Sequence, residues 1–266
     1  MISVEREERD GAHVRTIWLD RPDKRNALTP GMLTELVSQA EAAASAGDAV
    51  LLAGRGKAFC AGFDLAMCQA APDGSVMRLL LTGLSDACRT LRTLDRPVVV
   101  AAHGAAVAGG CALLGGADVV VADRACTMGY PVVKLGVSPA VSIPFLRQSV
   151  TDGHARARAL LPDTFTAADA EQHDLVHVLV EEAGEVHNRA LEEAFRLAAI
   201  PPGAYAATKQ WLNTIEGVVR RREDEAGLEA SLGLTGNAEE RERLGALDFG
   251  TKPNAQPNAK TDEKKP

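Results

Sequence analysis

Two short segments of this chain, residues 49–53 (AVLLA) and residues 97–102 (PVVVAA), contain no polar side chain. Apolar runs of this length are typical of strands whose two faces are both covered, as in the parallel sheets of α/β proteins. Helical segments alternate with these runs. One begins after Thr29, a good N-cap that is followed by Pro30, and extends to about residue 46, and another covers about 76–93. The sequence therefore predicts an α/β domain with mostly buried strands.

Local signals predict the other elements of the first half. The Asp10-Gly11 turn predicts a hairpin between strands at 2–9 and 13–20, and residues 66–76 predict a mobile loop. Further along, the pattern indicates one helix and two strands, at 109–116, 118–122 and about 126–129. The alternation of strands and helices thus continues to about residue 130.

From Pro139 onward the pattern is helical, apart from a short strand at 176–180. The predicted helices are 140–149, 153–161, 167–173, 184–199, 202–214 and about 217–248. We therefore divide the chain into a core domain at 1–199, a C-terminal helical region at 200–249 that would serve trimerisation, and a disordered tail at 250–266, where no apolar residue is larger than alanine.

The net charge of −7 opposes a nucleic-acid groove, which needs a basic stripe, although local cations and backbone amides could still hold a small anion. The five cysteines match no metal-binding spacing, and their odd number indicates reduced thiols. The first ten residues (MISVEREERD) lack the apolar core of a signal peptide, and no apolar run is long enough to span a membrane. We expect a soluble cytoplasmic protein without nucleic-acid or membrane partners.

Three short motifs point to other chemistries, and each is incomplete. Residues 54–57 (GRGK) resemble a phosphate loop, but Ala58 stands where Ser or Thr is required. His173 and His177 are four residues apart, but His177 lies in a predicted strand, so the two side chains would not share a helix face. Residues 136–140 (GVSPA) lack the second glycine of a serine-hydrolase nucleophile turn.

Two glycine-containing turns remain, residues 57–65 (KAFCAGFDL) and 103–111 (HGAAVAGGC), and each follows a buried strand. Glycine at such places lets the backbone approach a ligand closely. Gly109 and Gly110 also open a helix whose free N–H groups favour negative charge. Each turn alone could equally be a tight strand-to-helix connection.

Together with their flanking segments, the two turns resemble the crotonase (enoyl-CoA hydratase/isomerase) superfamily. The similarity extends over about residues 2–250 in family-like order and spacing. The matching segments are 21–28 (RPDKRNAL), 58–65 (AFCAGFDL), 96–111 with 117–118, 128–131 (MGYP) and 134–139 (KLGVSP). The resemblance implies the α/β crotonase (ClpP/crotonase-like) spiral fold of repeated ββα units with a C-terminal helical region, assembled as a homotrimer or homohexamer.

By the same resemblance, the ligand is an acyl-CoA thioester whose carbonyl is polarised in an oxyanion hole formed by the amides of Phe63 and Gly109. Fixed donors in a dry cleft stabilise the charge of an enolate oxygen, and one donor is typically worth about 2.7–4 kcal/mol in other enzymes. The resemblance implies contacts with the coenzyme at Lys24, Arg25, Ala27, Ala61, Gly62, Phe63, Asp64, Leu65 and Gly110. The side chains of Lys24 and Arg25 could equally be solvated charges in a turn. We expect no metal and no cofactor beyond the coenzyme A moiety of the substrate.

The chain departs from the family pattern where proton transfer is carried out. Family hydratases use two glutamates, and the matching positions here hold Ala112 and Val132, which cannot exchange protons. The aspartate that some relatives use would fall at Ala140. Because loss of a general acid or base usually costs about 10²–10⁴-fold in rate, we do not expect ordinary two-glutamate hydration.

Other side chains near the expected pocket could transfer protons, but each has an adequate structural explanation. These are Asp64 as a cap for loop amides, Asp73 as a polar loop residue, Cys111 and Tyr130 as packing residues, and Ser138 and Ser142 as turn and helix caps. Two main hypotheses remain. One is an acyl-CoA enzyme with non-standard proton-transfer groups, such as a decarboxylase, isomerase or hydrolase. The other is a non-catalytic acyl-CoA-binding protein, and a scaffold that binds no coenzyme A is a remote third.

Overall fold

The computed structural model describes residues 1–217 and 221–248 of the chain. The strands in these residues are β1 (Ile2–Arg9), β2 (Ala12–Leu19), β3 (Ala49–Gly54), β4 (Val98–Ala102), β5 (Ala105–Val107), β6 (Val119–Asp123), β7 (Thr127–Gly129), β8 (Phe165–Thr166) and β9 (Val178–Val180). The α-helices are α1 (Pro30–Ser45), α2 (Leu65–Ala70), α3 (Ser75–Thr93), α4 (Gly109–Leu114), α5 (Ile143–Ser149), α6 (Asp152–Leu160), α7 (Ala167–Glu171), α8 (Val186–Ala198), α9 (Pro202–Ile215), α10 (Arg221–Leu232) and α11 (Ala238–Gly245).

A six-stranded sheet of order β1-β2-β3-β4-β6-β9 forms the centre of the fold, and only its β1–β2 pair is antiparallel. Successive side chains of its inner strands enter two different cores. In β3, Val50 and Leu52 pack with α1 and α3, whereas Leu51 and Ala53 pack with α8. Because successive strand residues point to opposite faces, a strand covered on both sides must be apolar throughout. The α/β prediction is confirmed.

A second sheet of order β5-β7-β8 positions the two glycine-containing turns. An isolated bridge joins Cys60 to Ala106 of β5, so the segment after β3 runs beside the segment after β4. Neither β5 nor β8 was expected from the sequence, because strands of three and two residues carry no periodic pattern. The two turns, which are far apart in sequence, therefore lie next to each other.

The C-terminal helices pack back onto the core. Helix α9 contacts α3, α10 contacts α3 and the 3₁₀ turn Pro139–Ser142, and α11 contacts α2 and the turn Pro131–Leu135. The buried Ser231 of α10 accepts a hydrogen bond from the Val141 amide and donates one to the Ser138 carbonyl, both at 3.0 Å. These helices therefore fix the loop at 131–142.

Several predictions of local structure are wrong. Residues 66–76 are not one loop, because most of them belong to α2 and to the start of α3. The helix expected at 217–248 is two helices, since Gly236 adopts the left-handed φ of 73° and Asn237 accepts a hydrogen bond from the Glu240 amide at 2.8 Å to cap α11. The expected tail at 250–266 lies outside the described residues. Within residues 1–217 and 221–248, no helix has both the length and the apolar character that crossing a membrane requires.

Candidate active site

An apolar cavity of about 280 Å³ lies between the two glycine-containing turns, α3 and the loop at 130–142. Of the residues that the sequence assigned to the site, Ala61, Phe63, Leu65, Gly109 and Val132 line it. The described lining residues include no aspartate, glutamate, histidine or cysteine. The cavity can therefore surround an apolar group, but its walls offer no carboxylate or imidazole for proton transfer.

The two turns meet at one end of this cavity. The Val107 amide donates to the Cys60 carbonyl at 2.9 Å and ties the turns together. Gly62 has a φ of 96°, and a Cβ atom there would lie 3.2 Å from the Val107 carbonyl oxygen and 3.7 Å from the Gly109 nitrogen. Glycine is therefore required at position 62 both for its backbone conformation and for the close approach of the second turn.

Two backbone amides at this junction are unengaged. Among the described residues, neither Phe63 nor Gly109 donates a backbone hydrogen bond. The β-bridge between Leu28 and Phe63 uses the amides of Leu28 and Asp64, which leaves the Phe63 amide out of the bridge. Gly109 is the first residue of α4, and N–H groups at the start of a helix have no partner inside it. The preceding Ala108 has a φ of 53° and a ψ of −116°, a sparsely populated conformation that costs a non-glycine residue about 1–3 kcal/mol. Such strain is concentrated at functional sites.

Close packing holds the junction in place. A Cβ atom on Gly109 would lie 3.1 Å from Cε1 of Phe63, so the ring covers the start of α4. A Cβ atom on Gly110 would lie only 2.5 Å from the Cys60 carbonyl oxygen. The Phe63 ring thus lines the cavity and also packs against the main core.

Asn26 anchors the turn that carries Phe63, a role that sequence reasoning missed. Its side chain is fully buried; Nδ2 donates to the carbonyls of Arg55 at 2.9 Å and Ala58 at 2.8 Å, and Oδ1 accepts from the Arg21 amide at 2.8 Å. The Cys60 thiol is 3.3 Å from the Asn26 carbonyl oxygen. The only sequence signal was an asparagine in a turn, a residue type that tolerates the left-handed φ of 55° found here.

The charged residues assigned to coenzyme contacts lie outside the cavity lining. The Lys24 and Arg25 side chains are exposed in a turn. The Ala27 carbonyl that follows this turn accepts a hydrogen bond from Nη1 of Arg21 at 2.7 Å. Asp64 does not cap the loop amides as expected; instead its carboxylate pairs with Arg21 at 2.9 Å and its side chain makes no cap hydrogen bond to α2. Arg21 therefore joins the first segment of the site to the Phe63 turn.

Asp73 stays at the surface. Its carboxylate accepts hydrogen bonds from the amide and the hydroxyl of Ser75, at 3.1 and 2.7 Å, and these bonds hold its pKa below the usual value. It does not line the cavity. The structure therefore agrees with the explanation of Asp73 as a polar loop residue.

The two positions that hold glutamates in family hydratases differ in their surroundings. Val132 lines the cavity, whereas Ala112 is only 1% exposed and is absent from the lining. The Ala112 carbonyl accepts from the Cys88 thiol at 3.4 Å. Ala140 is also absent from the lining. None of the three side chains can move a proton.

Tyr130, which lines the cavity, forms a buried pair with Cys111. Burial raises the pKa of the Tyr130 hydroxyl well above its usual value, and the Cys111 thiol to which it is hydrogen-bonded adds to this effect. Burial likewise raises the pKa of Cys111 to about 11. Both groups are therefore protonated at neutral pH and cannot act as a base there.

Ser138 and Ser142 both line the cavity, but only one of them acts as a cap. The Ser138 hydroxyl accepts from the Ala140 amide at 3.2 Å, as expected for a turn cap. The Ser142 hydroxyl makes no cap hydrogen bond, which contradicts the sequence-based explanation. The role of Ser231 in holding this loop was not visible in the sequence, because it depends on a contact across 90 residues.

The six-stranded sheet, the small second sheet and the C-terminal helices form the α/β crotonase fold, which solved enoyl-CoA hydratases share. A solved enoyl-CoA hydratase/isomerase from Xanthobacter autotrophicus Py2 has the same fold, with a TM-score of 0.80, 28% identity and coverage of 91% of each chain. An enoyl-CoA hydratase structure from Mycobacterium smegmatis gives a TM-score of 0.73 at 27% identity, covering 86% of this chain and 89% of that one. The expected fold is confirmed.

Residues 9–247 match the family model described as enoyl-CoA hydratase/isomerase, and the chain belongs to that family. Among its relatives, the 2,3-dehydroadipyl-CoA hydratase of Escherichia coli is 31% identical, with 82% of each chain covered. The 1,2-epoxyphenylacetyl-CoA isomerase of the same organism is 30% identical, covering 76% of this chain and 79% of the relative. These two similar relatives carry different reaction names, so family membership alone does not specify the reaction.

Proposed function

We propose that this chain binds an acyl-CoA thioester with its carbonyl oxygen between the amides of Phe63 and Gly109 and its acyl group in the apolar cavity. The observation that carries the proposal is the pair of unengaged N–H groups on two neighbouring turns at the cavity end. A thioester that gains enolate character develops negative charge on this oxygen, and preorganised donors in a water-poor site stabilise it. The Lys24 and Arg25 side chains, exposed beside the Phe63 turn, would meet the phosphates of the coenzyme.

The proposed chemistry does not use the two-glutamate mechanism. The described cavity walls hold no carboxylate, and burial keeps Tyr130 and Cys111 protonated. We therefore propose enolate stabilisation with non-standard proton-transfer groups, as a decarboxylase, isomerase or hydrolase could use. The alternative is acyl-CoA binding without turnover. In either case the coenzyme A moiety would be the only cofactor-like group.

The oxyanion hole can be tested without turnover. Infrared spectroscopy of bound butyryl-CoA with an isotope-labelled thioester carbonyl should show a lower C=O stretching frequency than in solution, because two N–H donors weaken the double bond. In Gly109→Ala the new Cβ atom would displace the Phe63 ring and reduce both the shift and the affinity. Gly153→Ala is the matched control, since a Cβ atom there meets nothing within 4 Å.

Turnover separates the two forms of the proposal. Mass spectrometry of a panel of acyl-CoA and enoyl-CoA thioesters, incubated with the purified full chain, would detect any product. Products without rapid hydration of crotonyl-CoA would support an enzyme with non-standard groups, and binding without product would support the alternative. If no thioester binds, or if the bound carbonyl frequency equals that in solution, the proposal is wrong.

We also propose assembly as a homotrimer or homohexamer through the C-terminal helices. Trp211, Leu212 and Ile215 of α9 are 65%, 45% and 61% exposed and share one helix face, which is unusual for large apolar side chains. Trp211→Glu should shift the mass measured by light scattering toward the monomer, and an unchanged mass would contradict this interface. A reducing cytoplasm would suit the five cysteines, all of them free.

A further inference from the structure

One hydroxyl in the cavity has no hydrogen-bond partner among the described residues. Ser142 is only 4% exposed and lines the cavity, and its side chain makes no hydrogen bond with any described residue. The hydroxyls of Thr16 and Ser85 are fully enclosed without a partner, whereas that of Ser142 is not among the enclosed atoms. Because Ser142 lines the cavity and its hydroxyl is not fully enclosed, a molecule bound there could reach this hydroxyl.

Helix capping does not account for this serine. Ser142 precedes α5, and an N-cap serine ordinarily accepts from the amide two or three residues later. Two residues later stands Pro144, which has no N–H, and no cap bond to Phe145 is formed. The hydroxyl therefore has no partner among the described residues in an otherwise apolar wall, where a polar group of a bound molecule could hydrogen-bond it.

The other polar side chains of the described lining are already engaged or lie at the mouth of the cavity. The Ser138 hydroxyl accepts from a backbone amide, and the Tyr130 hydroxyl is hydrogen-bonded to Cys111. Lys134 is exposed, so its ammonium group can remain in water. Ser142 is thus the one buried and uncommitted polar side chain among the described lining residues.

We infer that Ser142 determines acyl-group specificity by hydrogen-bonding a neutral oxygen, a hydroxyl or a keto group, on the acyl chain of the bound thioester. This inference rests on the proposed acyl-CoA function of the cavity. A hydroxyl can donate to a ketone and can donate to or accept from an alcohol, so it fits both. A purely hydrocarbon chain would leave it unpaired.

A carboxylate on the acyl chain is disfavoured in this position. An ionised carboxylate that enters an apolar cavity loses far more hydration free energy than one neutral hydroxyl can replace. The described lining offers no buried cation to compensate, because Lys134 is exposed. The ligand class is therefore an acyl-CoA whose chain carries an uncharged oxygen.

The test compares the affinities of the full-length protein for butyryl-CoA, 3-hydroxybutyryl-CoA, acetoacetyl-CoA and succinyl-CoA by calorimetry. We expect one or both of the neutral oxygenated thioesters to bind about tenfold more tightly than butyryl-CoA, as one net hydrogen bond provides. Succinyl-CoA should bind more weakly than butyryl-CoA. Ser142→Ala should abolish the preference, so that the oxygenated thioesters and butyryl-CoA bind this variant with similar affinity, whereas Ser142→Thr, which keeps the hydroxyl, should retain it.

Ser138→Ala is the matched control, because it removes a hydroxyl from the same cavity wall that is already bonded to the backbone. It should keep the preference, and thermal melts should show that all three variants fold. Equal affinities for butyryl-CoA and both oxygenated thioesters would overturn the inference while the proposed function stands. A preference that survives in Ser142→Ala would do the same, and so would a higher affinity for succinyl-CoA than for butyryl-CoA. If butyryl-CoA also fails to bind, the proposed function itself is wrong.

Discussion

Replacement of Asn26 by alanine tests whether this one side chain holds the Phe63 turn in place. The change removes three hydrogen bonds, to the Arg55 and Ala58 carbonyls and from the Arg21 amide. Each is worth about 1 kcal/mol net, and the left-handed backbone adds about 1 kcal/mol because alanine tolerates it less well than asparagine. We expect Asn26→Ala to lower the free energy of unfolding by about 4 kcal/mol.

The assay is urea denaturation at one fixed protein concentration, because assembly would make the apparent stability depend on concentration. The control is Arg25→Ala, which lies in the same turn with a φ of 48° and an exposed side chain. Since Arg25 is already a non-glycine residue in this conformation, its replacement should cost less than about 0.5 kcal/mol. If Asn26→Ala lowers the free energy of unfolding by as little as the control does, the role assigned to Asn26 is wrong.

The remaining predictions concern the amides, the missing carboxylates and pH. Gly110→Ala should weaken acyl-CoA binding, because its Cβ atom would lie 2.5 Å from the Cys60 carbonyl oxygen, whereas Gly31→Ala meets nothing within 4 Å and should leave binding unchanged. Val132→Glu should fold and add measurable enoyl-CoA chemistry, whereas Ala112→Glu should be destabilised by several kcal/mol, about the cost of an unpaired buried carboxyl. Burial lowers the pKa of His177, so the free energy of unfolding should fall as pH drops below about 6.5.

Each of these predictions has an outcome that contradicts it. Equal affinities of Gly110→Ala and Gly31→Ala for butyryl-CoA would mean that the two turns can separate without harm. Kinetic assays with crotonyl-CoA that find Val132→Glu as inactive as the parent would show that position 132 does not face the reacting carbons. His177→Asn, whose amide oxygen could still accept from the Val120 amide, should reduce the pH dependence; an unchanged pH profile would exclude His177.

The sequence was sufficient for features that depend on neighbouring residues. The apolar run at 49–53 indicated a strand covered on both faces, and β3 extends over Ala49–Gly54 with every residue buried. Thr29 was expected to cap α1, and its side chain accepts from the Met32 amide at 3.3 Å. Both features follow from short-range patterns, so the fold class could be read without coordinates.

Features that depend on distant partners could not be predicted. The Asn26 side chain bonds to carbonyls 29 and 32 residues away, and no local pattern indicates such a choice. The break after Leu232 was missed because helix-forming charged residues continue on both sides of it, although Gly236 and Asn237 are common at helix ends. Ser142 was explained as a cap by its residue type, and only the absence of a cap bond separates it from Ser138.

In the proposed function, carbonyl recognition and proton transfer depend on different parts of this chain. The two amides are held by Gly62, Gly110 and the buried Asn26, and all three act through the backbone or on it. Proton transfer would depend on side chains such as those at 112 and 132, which do not help to hold the two turns. The first function can therefore persist when position 132 or 112 holds a residue that cannot exchange protons, as Val132 and Ala112 do here. If this separation is correct, Val132→Glu should change turnover while the carbonyl frequency of bound butyryl-CoA stays the same. A change in that frequency would show that the cavity wall and the amides act as one unit.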